Sequence, residues 1–232
     1  MKSITQKLIE TREALAEASK KAGRGPSAIT LVAISKTHSV DQVQEAVDVG
    51  HCVFGESYLQ EALKKSLMLP KNLSWHLIGR LQTNKIRKAL ELFSLVQSVH
   101  SLELAKKIDR ISGEKGVSQN LLLEVNVSGE MSKLGFSPES LEACAEELFS
   151  LQYLQVEGLM TVVPYTAIPL TSRPFFARLR EFRDRLSRRI GKLLNTLSMG
   201  TSNDYQIAVE EGATMVRVGD AIFGKRISIE RF

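Results

Sequence analysis

The chain has 232 residues, 25% of them charged and 43% hydrophobic, with a net charge of +5. This balance excludes a disordered or fibrous polymer, and the length suits one large α/β domain with a sizeable core. Arg178, Arg180, Arg183, Arg185, Arg188 and Arg189, mixed with Glu181 and Asp184, carry most of the excess positive charge. They read as a solvated helix face and not a nucleic-acid groove, because no aromatic stacking pattern accompanies them. Residues 1–20 are amphipathic with both charge signs and lack a signal-peptide core, and no later apolar run is long enough to cross a bilayer. A cytoplasmic location is expected. Cys52 and Cys144 lie in apolar runs without metal-ligand spacing, so both read as core thiols in a reducing compartment.

The elements follow in chain order. Ser3 with Gln6 makes a capping-box pattern, and Ile4, Leu8 and Leu15 fall at helical spacing, which predicts an opening helix. Leu31-Val-Ala-Ile-Ser35 reads as a buried parallel strand with Lys36 at its carboxyl edge. Ser39 and Gln42 repeat the capping box, Val40, Val43 and Val47 form one face, and Gly50 supplies the stop. A second strand starts at Cys52–Phe54, Ser57 and Gln60 predict the cap of the next helix, and Trp75–Ile78 is strand three before a helix over Ile86–Leu92. Strand four is Leu95–Val99, its helix Leu102–Ile111, and strand five Leu121–Val127. After a loop over residues 128–135, Ser137 and Pro138 open a helix reaching Leu148, and Val156–Leu159 is strand six. The basic helix carries Phe175, Leu179, Phe182, Leu186 and Ile190 on one side. Thr196–Ser198, a helix over Ile207–Glu211 and Met215–Val218 complete the series. Eight strands alternating with helices predict a single-domain (β/α)8 TIM-type barrel over residues 1–232 with an extra N-terminal helix. An open, doubly wound sheet is the alternative.

Two places carry chemistry. Lys36 ends strand one, where α/β sheets present functional residues. An amine among apolar neighbours loses part of its charged form and can attack a carbonyl to give a Schiff base, whereas a strand-end lysine reaching water would do nothing. At the other end of the chain, Leu197-Ser-Met-Gly200-Thr-Ser202-Asn-Asp204 and Val216-Arg-Val-Gly219-Asp220-Ala-Ile-Phe-Gly224 run from strands through glycine and hydroxyl residues into helix starts. Such turns aim backbone N–H groups at one point and suit a phosphate, although glycine before a helix is also a simple turn. Strands one and eight are neighbours in a closed barrel. A phosphorylated aldehyde would meet both features.

The runs Val32–Thr37, Phe54-Gly-Glu-Ser-Tyr-Leu-Gln-Glu61, Trp75–Gly79 with Leu81-Gln-Thr-Asn-Lys85, Glu157–Met160, Leu197–Gly200 and Met215–Gly219 with Ala221–Gly224 together resemble the YggS/PROSC-type pyridoxal-phosphate (PLP) homeostasis proteins. The resemblance spans nearly the whole chain and implies the barrel of the alanine racemase N-terminal domain. It implies PLP as cofactor on Lys36 as an internal aldimine, with Ser202 and the backbone around Gly219 and Asp220 on the phosphate, Gly200 in the same loops, and Arg217 facing the pyridine nitrogen. It implies a role in vitamin B6 balance, with PLP-dependent apoenzymes as partners and a monomer or weak dimer. Three residues depart from the pattern: Ser57 stands for the usual Asn, Thr201 for Met, and Asp220 for Thr or Ser. The alternative is an amino-acid racemase or Schiff-base lyase. An arginine at the ring nitrogen and a chain ending soon after strand eight, without a second domain to supply an acid/base tyrosine, favour carriage over catalysis. Tyr58, Tyr165 and Tyr205 keep the enzyme reading open. Glu124 is a candidate partner for Arg217, and His76 reads as a hydrogen-bonded core residue.

Overall fold

The computed structural model describes residues 2–130 and 133–224. Eight parallel strands close into a barrel in chain order: β1 (Thr30–Ile34), β2 (Val53–Glu56), β3 (Ser74–Leu77), β4 (Phe93–Val99), β5 (Gln119–Glu124), β6 (Leu154–Met160), β7 (Thr196–Ser198) and β8 (Met215–Val218). Helix α1 (Ile4–Lys21) precedes β1, with the expected Ser3–Gln6 capping box at its start. The crossovers are α2 (Val40–Asp48), α3 (Leu59–Met68), α4 (Ile86–Leu92), α5 (Leu102–Lys115), α6 (Pro138–Phe149), α7 (Arg173–Ile190) and α8 (Tyr205–Glu210). A short α9 (Asp220–Phe223) follows β8.

Strand alternation sorts the core into two layers. Leu31 and Ala33 of β1 join Phe54, Leu121, Leu197 and the inward faces of the helices in a large shell outside the barrel wall. Val32 and Ile34 point the other way, into a smaller cluster inside it with Leu95, Leu122, Met160 and Met215. Because successive side chains alternate, position 36 continues the inward row of 32 and 34 at the barrel's carboxyl end. The β1–β8 register sets Val32 beside Arg217, so the same parity brings residues 217 and 219 inward. Parallel pairing across this seam therefore fixes which residues from the two ends of the chain share the mouth of the barrel.

Several expected boundaries move. Strand five stops at Glu124 and not Val127, because Asn126 redirects the chain: its N–H donates to Phe136 O, and its side-chain oxygen accepts from Ser128 Oγ and Gly129 N. The N-cap of α3 is Tyr58, with no side-chain bond, in place of Ser57. Helix α5 runs on to Lys115, where Gly116 takes the left-handed conformation that ends it. The cysteines are not core thiols: Cys52 is exposed, since it precedes β2 outside the alternating core, and Cys144 is only half-buried on α6. No described helix is long and apolar enough to cross a membrane.

Candidate functional site

A cleft of about 280 Å³ opens at the carboxyl end of the barrel, lined by Lys36, Arg217, Ser202, Asn203, Gly219 and Asp220 among others. Five of the residues singled out in the sequence thus meet at one place. Gly200 lies behind the cleft: it lines an adjoining hollow, and its carbonyl accepts the Arg217 N–H at 3.0 Å. Its φ of 93° and the tight approach of Tyr205 and Ala208 leave no room for a side chain.

The two turns after β7 and β8 are built as one unit. Ser202 Oγ accepts from Gly219 N at 3.1 Å and from Ala221 N at 3.2 Å. Both lone pairs of that hydroxyl are engaged, which leaves its proton to donate into the cleft. The N–H groups of Ser202, Asn203 and Asp220 donate to no acceptor among the described residues. Behind the first turn, buried Asp204 accepts from Thr201 N at 2.7 Å and from Ser172 Oγ at 3.1 Å, so a carboxylate holds the loop in shape. Asp204 ends the first turn singled out in the sequence, but its bracing role had no signal of its own there. Gly219 is the N-cap of α9, with no side-chain cap bond, and Asp220 is the exposed first residue of that helix.

Arg217 is 4% exposed and donates to two acceptors, one of which leads into a chain of further hydrogen bonds. Its Nη1 donates to Ser198 Oγ at 2.7 Å and its Nη2 to Thr161 O at 2.7 Å. Ser198 Oγ donates in turn to Gln97 Oε1 at 2.6 Å, and Gln97 Nε2 reaches His76 Nδ1 at 3.0 Å. Glu124, the expected partner, makes no hydrogen bond to the guanidinium among the described residues and acts on it through its charge alone. Burial lowers the arginine pKa to about 10, opposed by the charges of Glu124 and Asp204, so it stays a cation at neutral pH. Burial likewise takes His76 down to about 4, and as a neutral ring it accepts from Gln97, the hydrogen-bonded core role expected of it. Of the three tyrosines, Tyr165 lines the cleft at 86% exposure, Tyr58 lines a separate hollow, and Tyr205 is half-buried with its hydroxyl pKa raised by burial.

The donor set fits a phosphorylated aromatic aldehyde. One turn gathers N–H and O–H donors, an inward amine stands opposite, and a fixed cation lies deeper between them. A family model described as the alanine racemase N-terminal domain matches residues 10–226. The protein called pyridoxal phosphate homeostasis protein in Aquifex aeolicus is 40% identical over 95% of this chain and 97% of its own, and that of Pseudomonas aeruginosa 42% over 97% of both. The chain belongs to the alanine racemase N-terminal-domain family and, within it, to the pyridoxal phosphate homeostasis proteins. The structure of PipY of Synechococcus elongatus, solved with PLP bound, superposes with a TM-score of 0.85 at 38% identity, covering 96% of this chain and all of that one. Alanine racemase of Clostridium difficile shares the fold at 17% identity with a TM-score of 0.71, and this chain covers 62% of it. The Asp220 carboxylate stands on the rim of the second turn.

Proposed function

We propose that this protein binds PLP in the cleft and holds it as a Schiff base on Lys36, serving intracellular PLP homeostasis and delivery. The single observation that carries the reading is the meeting of Lys36, Arg217 and the Ser202–Gly219 turns around one cleft. The PLP-bound relative and the shared names of the curated relatives support it. Bound there, PLP supplies an aldehyde. The Lys36 amine condenses with it, losing one water and exchanging no electrons. Ser202 and the N–H groups of residues 202, 203 and 220 hold the phosphate, Gly219 lets the backbone approach, and Gly200 backs the first turn. Arg217 faces the ring nitrogen and, already cationic, keeps that nitrogen unprotonated. This weakens the electron sink an enzyme would need. On this reading the whole chain, 1–232, acts as one cytoplasmic domain, a monomer or weak dimer, with PLP-dependent apoenzymes as recipients.

The test is an absorption spectrum of the PLP-loaded protein before and after borohydride, with the modified peptide identified. The label is expected on Lys36, and Lys36→Ala is expected to lose the visible band. A band undiminished in that variant would move the site elsewhere. A racemase or lyase reading would rest on Tyr165, the tyrosine at the cleft. Rapid loss of α-deuterium from amino acids on the yellow protein would favour it; carriage predicts none.

A further inference from the structure

Thr37 is the one residue other than glycine with a positive φ, 67°, among the described residues. A β-branched side chain in that region is an outlier that persists only where its surroundings impose it. The turn concerned runs from Ser35 to His38, closed by the His38 N–H donating to Ser35 O at 3.1 Å, and it presents Lys36. Turns with a positive φ at the third position ordinarily place glycine there. Here the conformation is held from outside. The Thr37 N–H donates to Glu61 Oε1 at 2.6 Å, and the same oxygen accepts from Lys65 Nζ at 2.7 Å, one helical turn along α3. Lys65, 4% exposed, also donates to Ser35 O at 2.6 Å and to buried Glu56 Oε1 at 2.7 Å, which further accepts from Ser35 Oγ at 2.7 Å. The residues on either side of Lys36 are thus both tied to charged groups of β2 and α3.

From this geometry we infer that Glu61 is a positioning residue: it clamps Thr37 in the left-handed conformation and so keeps the Lys36 amine on its inward course to the aldehyde. The inference rests on the reading that Lys36 holds PLP. Without Glu61, Thr37 relaxes to negative φ and the turn re-aims Lys36, while Lys65 keeps Glu56 as its counter-ion, so no buried charge is stranded. Glycine at position 37 adopts the same φ unaided, which makes the clamp redundant.

The experiment follows the PLP band at several PLP concentrations in the full-length protein, taking association and release rates from the slope and intercept, with an apoprotein melting curve as the control for folding. Glu61→Ala is expected to speed release about five- to tenfold, the low end of what releasing one such strained residue allows. Glu61→Gln, whose amide oxygen can still accept the Thr37 N–H, recovers most of that difference. In a Thr37→Gly background, Glu61→Ala changes release less than about twofold, since glycine carries no strain to relieve. If Glu61→Ala does not fold, Glu61→Met fills the volume without an acceptor and takes its place in the same cycle. Unchanged release in Glu61→Ala, or an equal acceleration with glycine at 37, overturns the inference while leaving Lys36 as the attachment site. A Lys36→Ala protein that keeps its band overturns both.

Discussion

Ser202 joins two main-chain N–H groups and offers one proton, so its removal does more than delete a contact. Ser202→Ala is expected to weaken PLP by about 1.5–3 kcal/mol, the range for a hydrogen bond to a charged acceptor, and to leave pyridoxal unaffected because pyridoxal lacks the phosphate. Equilibrium titration of both ligands decides it; equal losses would remove Ser202 from the phosphate. Asp220 tests the same spot with the opposite sign. Its carboxylate is exposed beside the turn, so the repulsion of a phosphate dianion is largely screened, and Asp220→Thr is expected to tighten PLP by under about 1 kcal/mol. Weaker binding by that variant would mean the carboxylate makes a favourable contact. Gly219 is a poorer probe, since an added Cβ would stand 3.3 Å from Ile34 Cβ and a valine there would strain β1 as well as the cleft. Lys36, Ser202 and Gly219 could be found from sequence because a lysine ending an apolar run and a glycine with a hydroxyl before a helix are local patterns. The bracing roles of Glu61, Lys65 and Asp204 could not. Each is one charged or polar residue on a helix or loop, and nothing local says which of the many folds back onto a turn.

At the scale of elements the strands were legible and their ends were not. Thr196–Ser198 and Met215–Val218 coincide with the expected spans because loop residues flank them sharply on both sides, whereas Val125 and Val127 keep a strand's composition on either side of Asn126, where the chain turns. Gly158 of β6 packs directly against the backbone of β7. A Cβ on Gly158 would sit 1.9 Å from Thr196 O, and the carbonyl it would strike is backbone that cannot rotate away. Gly158→Ala is therefore expected to destabilise the protein by about 1–3 kcal/mol, as overpacked sites do, seen as a lower denaturant midpoint. A midpoint equal to the parent's would show that the two strands can part without loss.

Over the whole molecule, the interior chain Arg217, Ser198, Gln97, His76 has a fixed direction that requires His76 to stay neutral. With its folded pKa near 4 and an ordinary value of 6.5, the unfolded chain takes up the proton first. The contribution is fully present above about pH 6.5 and is lost as pH falls towards 4, up to about 3 kcal/mol in the limit. Glu56 and Glu124, held above the usual carboxylate range by burial, act in the opposite sense, strengthening the fold as they take up protons. The imidazole signals separate the two: His76 is expected to show no titration between pH 8 and 5 by NMR, and a midpoint near 6.5 would break the chain. The seam between β1 and β8 carries one last consequence. Lys36 is made among the first residues and the Ser202 and Gly219 turns among the last, yet all of them line the same cleft. A chain short of β8 would lack Arg217 and the Gly219 turn, one side of the proposed site. On the proposed reading, PLP in the cleft would bridge the end of β1 to the turns after β7 and β8, so its occupancy would register that the ring has shut.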